Sequence, residues 1–402
     1  MLNKLNQLLE NRYDEMVEIR RYLHQFPEVS FKEFHTAAYI EDFYKKLGIA
    51  HQTHVGGNGV VAKIAGARPG KTVALRADFD ALPIQDEKDV EYKSKVPGVM
   101  HACGHDGHTA TLLVLAKCLN ELKEELEGNV VFIHQHAEEY APGGAIAMIN
   151  DSCLSGVDVI FGTHLWAGVE LGTIQYRVGP VMAAADRFSI KVQGSGGHGA
   201  QPHKTKDAVV TASQLVLNLQ QIISRRVNPV DPAVISVGTF KAENAFNIIA
   251  DSAYLEGTVR TFNDEVRDQI EAEIDVVASS TCALNGSTYE YKFDRGYPAV
   301  VNHKEETEYL VDVASSIKEV KAVEETPPHM GGEDFAYYLR HVKGTFFFTG
   351  AKPEGVEVAF PHHHPKFDIN EKALLIAAKT LGAATVLYHQ HEQNKLVPSH
   401  QS

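Results

Sequence analysis

The chain has little cysteine, a deficit of cations and no long apolar run. Four cysteines in 402 residues, Cys103, Cys118, Cys153 and Cys282, are too few for a disulfide framework, so a reducing cytoplasm is the expected compartment. Lysine and arginine total 38 against 52 aspartates and glutamates, a net charge of -14, and no basic run interrupts that excess. This excludes the electrostatic footprint of a nucleic-acid or anionic-membrane partner. No stretch is apolar for long enough to span a bilayer, and Met1-Leu2-Asn3-Lys4-Leu5-Asn6-Gln7 lacks the core of a signal peptide. Repeats and low-complexity segments are absent too. What remains, 44% hydrophobic and 22% charged, is a globular composition long enough for one large or two ordinary domains.

Periodicity predicts helices over 1–25, 36–47 and 109–125, and apolar strands at 60–64, 72–77, 129–134, 158–162 and 344–349. The continuous apolar run at 129–134 suits a sheet covered on both faces. Strands alternating with helices give an α/β fold. The middle of the chain reads strand 187–193, helix 207–226, strands 234–240 and 252–262, helix 264–282 and strand 288–293. That βαββαβ order is a ferredoxin-like unit, inserted at 182–293 into a domain made of 1–181 and 294–402. The polar tail after about His389 is expected to fray.

The densest chemistry lies in Met100-His101-Ala102-Cys103-Gly104-His105-Asp106-Gly107-His108, where three histidines, a thiol and a carboxylate share nine residues. Sulfur with imidazole suits Zn²⁺, and added carboxylates admit Mn²⁺, Co²⁺ or Ni²⁺. Three strands lead to further donors: Asp78 and Asp80, Glu138 and Glu139, and His164. Ligands gather at such strand ends in open α/β sheets. Cys103 and His105, two apart, can face one metal pair across an extended loop. Adjacent Glu138 and Glu139 are expected to diverge, one binding metal while the other faces the attacking water. Asp78 or Asp80 can orient a ligand histidine, or cap a turn before Pro83. His101 can orient its neighbours, and His108 is a supporting or structural residue. Any of His362, His363 and His364 can be a ligand on spacing alone. In the insert, the glycine-rich loop 194–203 lacks the GK[ST] of a phosphate cradle. His198 within it can donate to an oxyanion, and Arg260 can clamp a carboxylate, with Asn247 a further polar group nearby.

Taken together, Arg20 to Glu28, Arg76-Ala77-Asp78-Phe79-Asp80-Ala81-Leu82-Pro83, His101 to His108, His136 to Glu139, Gly197-His198-Gly199-Ala200, Gly332-Glu333-Asp334-Phe335 and His363 to Asp368 resemble one family over nearly the whole chain. It is the aminoacylase and carboxypeptidase-G class of di-metal amidohydrolases, in the branch of hippurate hydrolases, N-acyl-amino-acid amidohydrolases and auxin-conjugate hydrolases. The resemblance implies Cys103, His105, Glu139, His164 and His363 as ligands of two divalent ions, Mn²⁺ or Zn²⁺ with Co²⁺ or Ni²⁺ also open. His363 is preferred because the family histidine stands two before the proline; His362 replaces a common leucine. Glu138 is implied as general base and acid. The insert is implied to be a lid and dimerisation domain carrying His198 to the partner's site, with Asn247 and Arg260 near the substrate carboxylate. The expected reaction is hydrolysis of N-acyl-L-amino acids by a homodimer, a tetramer remaining open. The rivals are a metallo-dipeptidase or aminopeptidase on the same scaffold, and a non-catalytic metal- or ligand-binding protein.

Overall fold

The computed structural model describes residues 1–396 and resolves two compact units. The first comprises Met1–Val181, Val301–Pro327 and the chain from Asp334 onward; the second comprises Met182–Val300 and Pro328–Glu333.

The first unit is built on an eight-stranded mixed sheet. Its strands run in the order Ala50–Val55, Gly59–Ala65, Glu127–Gln135, Arg68–Asp78, Val159–Trp166, Lys343–Gly350, Thr173–Tyr176 and Ala322–Glu325. The central neighbours Glu127–Gln135, Arg68–Asp78, Val159–Trp166 and Lys343–Gly350 are parallel. Over 72–78, 130–135, 159–165 and 344–350 their side chains are buried on both faces, which is why these stretches read as mainly apolar runs. Alternation along Lys343–Gly350 shows the two covered faces directly. Phe347 enters the main core with Leu374 and Leu381 of the helix Lys372–Leu396. Phe346 points the other way and meets Phe335 of the helix Phe335–Leu339, ring centroids 4.9 Å apart.

Several elements differ from the sequence expectation. The N-terminal helix is two, Leu2–Asn11 and Tyr13–Gln25, broken at Arg12 without a glycine or proline to mark it. The helix expected from Thr109 begins at His105 and ends at Glu121, because Gly104 takes a left-handed φ of 94° and starts the helix four residues early. Cys103 and His105 therefore flank a helix N-terminus instead of lying in an extended loop. The last helix continues past His389 to Leu396, and residues 397–402 of the expected frayed tail lie outside the described residues. Among the described residues no helix is long and apolar enough to cross a membrane.

The second unit holds a four-stranded antiparallel sheet in the order Ala233–Lys241, Ser252–Thr261, Ala184–Gln193, Thr288–Asp294. Helices Ala208–Arg225 and Asp264–Leu284 share its core, with Leu215, Leu219, Ile270 and Ile274 against Phe188, Ile190 and Leu255. Asp207 and Asn263 cap these helices by accepting backbone N–H bonds. Gly197–His198 and Ile248–Ile249 form a separate small ribbon.

A buried charged network ties the helix Tyr13–Gln25 to the rest of the first unit. Arg20, fully buried, donates to Asp106 at 2.8 Å, Asp368 at 3.0 Å and Glu371 at 3.2 Å. His24 Nδ1 lies 2.7 Å from Asp106, and its Nε2 lies 2.9 Å from Lys88 Nζ and 3.3 Å from Asp86 Oδ2. Burial raises the Asp86 carboxyl, but His24 and the N–H groups of Ser94 and Lys88 outweigh it and hold the group well below the usual carboxylate range. An acid whose folded pKa is depressed stabilises fully above its unfolded pKa of about 4 and loses that contribution as pH falls towards the folded value. Asp86→Asn is expected to destabilise the protein by about 3 kcal/mol at pH 7 in urea unfolding, with the deficit shrinking below pH ~4; a deficit equal at pH 3 and pH 7 would refute this origin.

Candidate metal centre

The first unit gathers the predicted donors where its strands end. Asp78 and Asp80 follow Arg68–Asp78, Glu138 and Glu139 follow Glu127–Gln135, and His164 lies near the end of Val159–Trp166. Cys103 and His105 stand on either side of Gly104 at the helix N-terminus. Glu138 and Glu139 follow a bend at Ala137, whose φ is 52°. The bend turns both carboxylates toward His105 Nε2, at 4.0 and 3.7 Å, so they converge where an extended chain would part them.

Tautomers decide which nitrogens are offered to a cation. His105 Nδ1 donates to Asp80, 3.1 Å from Oδ1 and 3.0 Å from the carbonyl oxygen, leaving Nε2 buried with no hydrogen-bond partner among the described residues. His164 Nδ1 donates to the Leu165 carbonyl at 2.9 Å, leaving Nε2 3.4 Å from Cys103 Sγ. Glu139 Oε1 is also buried with no hydrogen-bond partner among the described residues, and Oε2 lies 3.2 Å from His363 Nε2. Cys103, His105 and Glu139 thus form one donor group, and Cys103, His164 and His362 a second that shares the thiol.

The electrostatics call for positive charge. Burial, together with Glu139, Glu138 and Asp78, pushes the Cys103 thiol well up. Burial disfavours a charged His105, yet Asp78, Asp80 and Glu139 outweigh it and push the imidazole up to about 10. A buried anionic cluster with unsatisfied nitrogen, oxygen and sulfur donors fits divalent cations.

The remaining predicted residues have other settings. His108 Nδ1 donates to Asp78 at 2.6 Å and its Nε2 accepts from Leu165 N at 2.9 Å, so neither nitrogen is available. His101 is buried with neither ring nitrogen hydrogen-bonded among the described residues, so it orients none of these neighbours in that way. His362 lies between Cys103 and Ala167, while His363 is about half exposed at a positive φ of 66°. His364 accepts from Lys366 N and stacks on Phe360. Asp80 is an orienting acceptor: besides His105, its Oδ2 receives Glu139 N at 2.9 Å and Ser30 Oγ at 2.7 Å.

Within the second unit, His198 is exposed on the small ribbon, its Nδ1 accepting from Ala200 N at 3.1 Å. The Asn247 carbonyl beside it accepts Gly199 N at 2.8 Å. Arg260, on the strand Ser252–Thr261, donates to the carbonyls of Met330 at 3.1 Å and Val259 at 3.0 Å.

Sequence reasoning missed the residues behind the donors. Buried Arg76 donates to Asp78 at 2.7 Å, Asp334 at 2.9 Å and Gln135 at 2.9 Å. Its signal was an arginine inside the apolar run Val73-Ala74-Leu75-Arg76-Ala77, a place such a side chain occupies only with partners. Glu33 is fully buried and accepts N–H bonds from Phe31, Ala137 and Asn58, pinning the bend before Glu138. Burial pushes its carboxyl up to about 7.

The model of peptidase family M20/M25/M40 matches residues 74–386. The chain is 62% identical over 387 residues to "Putative amidohydrolase YhaA" of Bacillus subtilis (strain 168), covering 96% of this chain and 98% of that one. It is 43% identical over 302 residues to "N-acyl-L-amino acid amidohydrolase" of Geobacillus stearothermophilus, covering 75% and 82% of the two chains. Among solved structures, the Bacillus subtilis YXEP protein, described as a dinuclear metal binding peptidase, superposes with a TM-score of 0.83 at 34% identity, over 95% of this chain and 99% of that one. This chain belongs to peptidase family M20/M25/M40.

Proposed function

We propose that this chain hydrolyses the amide bond of N-acyl-L-amino acids, releasing a carboxylate and a free amino acid. The observation that carries the reading is the buried donor cluster with a further carboxylate, Glu138, 4.0 Å from the unpartnered His105 Nε2. Cys103, His105, Glu139, His164 and His363 would hold two divalent ions. Such ions, when bound, polarise an amide carbonyl and acidify water. Their identity is Mn²⁺ or Zn²⁺ in this reading, with Co²⁺ and Ni²⁺ compatible with the same sulfur, nitrogen and oxygen donors.

The chain's own groups supply the rest. Glu138 takes the proton of the attacking water and returns it to the leaving amine. Asp80 keeps His105 in the tautomer that offers Nε2 and fixes the backbone at Glu139. His198 donates to the oxyanion, and Asn247 and Arg260 recognise the amino-acid carboxylate. In the arrangement implied by the resemblance, the second unit is a lid and dimerisation domain, and His198 serves the partner of a homodimer. A thiolate ligand that must stay reduced suits a cytoplasmic enzyme.

Protein reconstituted with Mn²⁺ or Zn²⁺ is expected to release free amine from N-acetyl or N-benzoyl amino acids faster than from dipeptides. Dipeptide turnover alone would move the reading to a peptidase, and silence across the panel would remove it. Glu138→Gln should lose ~10²–10⁴-fold in turnover while binding metal as the parent does in elemental analysis; near-parental turnover would take the base role from Glu138. Asp80→Asn should weaken metal binding by ~10–100-fold in a chelator competition, and an unchanged affinity would show that His105 and Glu139 hold their places without it.

A further inference from the structure

Of the histidines around the cluster, His105, His108, His164 and His362 make hydrogen bonds to backbone groups, which sort them into two kinds. His105 and His164 spend Nδ1–H on oxygen and leave Nε2 facing the cluster. His108 does the reverse: the backbone N–H of Leu165 occupies Nε2, and the proton sits at Nδ1, aimed at Asp78.

His362 follows His108. Its Nε2 lies 3.3 Å from the backbone nitrogen of Ala167, two residues beyond Leu165. A backbone N–H can only donate, so Nε2 is the acceptor, and in a neutral ring the single N–H is then at Nδ1. Nδ1 lies 3.7 Å from Cys103 Sγ. Ligation through Nδ1 would require the opposite tautomer and would set Nε2–H against the Ala167 N–H. The ring is held by Trp166 at 4.6 Å and Phe367 at 4.8 Å between centroids, which resists a flip.

We propose that His362 is a positioning residue that donates an Nδ1–H hydrogen bond to the Cys103 thiolate and is not itself a metal ligand. The inference rests on the proposed cation site. Three carboxylates, Glu138, Glu139 and Asp78, bear on the same sulfur, and a neutral N–H donor offsets them without adding a ligand. The bond draws charge from sulfur, fixes the direction of its lone pairs and lowers their energy.

The test uses Co²⁺-reconstituted protein and the sulfur-to-cobalt charge-transfer band. His362→Leu is expected to shift that band to longer wavelength, because sulfur lone pairs rise when the donor is removed. The number of nitrogen and sulfur neighbours in cobalt X-ray absorption should stay the same, and Co²⁺ affinity should fall by about 10-fold. His362→Asn, whose amide N–H can stand near the Nδ1 position, should return the band towards the parental wavelength. Loss of one nitrogen neighbour in His362→Leu would make His362 a ligand and overturn the proposal. An unmoved band would overturn it as well. No sulfur-to-cobalt band in the parent would remove the cation site and this inference with it, an outcome distinct from a site that forms but ignores His362. If His362→Leu fails to fold, His362→Phe, which keeps a ring between Trp166 and Phe367 but has no donor, is read by the same criteria.

Discussion

The site depends on one buried carboxylate. Asp80 gives Oδ1 to His105 and Oδ2 to Glu139 N and Ser30 Oγ. It thereby joins a strand end, a helix N-terminus, the bend after a second strand and an N-terminal loop. Each of those segments could drift without altering the core, and the carboxylate is what sets their spacing. Because Asp80 is only 1% exposed, water does not compete for these contacts, and losing one would leave a buried group unpaired. A single rigid acceptor thus fixes both the nitrogen and the carboxylate offered to a cation.

Around it the chain balances charge unevenly. Arg76 neutralises Asp78 and Asp334 from the sheet side, and Arg20 does the same for Asp106 and Asp368 beneath the helix that begins at His105. Toward the donors the charge stays unbalanced: burial and the carboxylates around it raise the Cys103 thiol, and Asp78, Asp80 and Glu139 outweigh burial and push His105 up to about 10. The difference has physical content. Where structure alone is at stake, a fixed guanidinium closes the account with hydrogen bonds in good geometry. Where a cation is to bind, the compensating charge is left to that cation.

Much of this was legible in the sequence, residue by residue. Sulfur, imidazole and carboxylate within 101–108 named a transition-metal chemistry, and apolar strands ending in Asp78, Glu138 and His164 named the place. The second unit's βαββαβ order could be read because its periods change cleanly from two to about four. What escaped was whatever depends on groups far apart in the chain. Gly104 advanced the helix start to His105, and Ala137 turned two adjacent glutamates to one side, because both residues hold a left-handed backbone that no pattern announces. Glu33 carried no signal at all, since its partners at Ala137 and Asn58 are 104 and 25 residues away.

Histidine is where that limit matters most. Spacing leaves His362, His363 and His364 equivalent, and composition cannot separate His105 from His108. The sheet separates them. At the end of Val159–Trp166, the backbone N–H groups of Leu165 and, just beyond the strand, Ala167 take up the Nε2 atoms of His108 and His362, while the Leu165 carbonyl takes the Nδ1 of His164. One strand end therefore issues both instructions. An N–H facing a ring makes that histidine a donor towards the cluster, and a C=O facing a ring makes it a lone-pair ligand. The direction in which the last peptide units point, and not the identity of the side chain, assigns each imidazole its role.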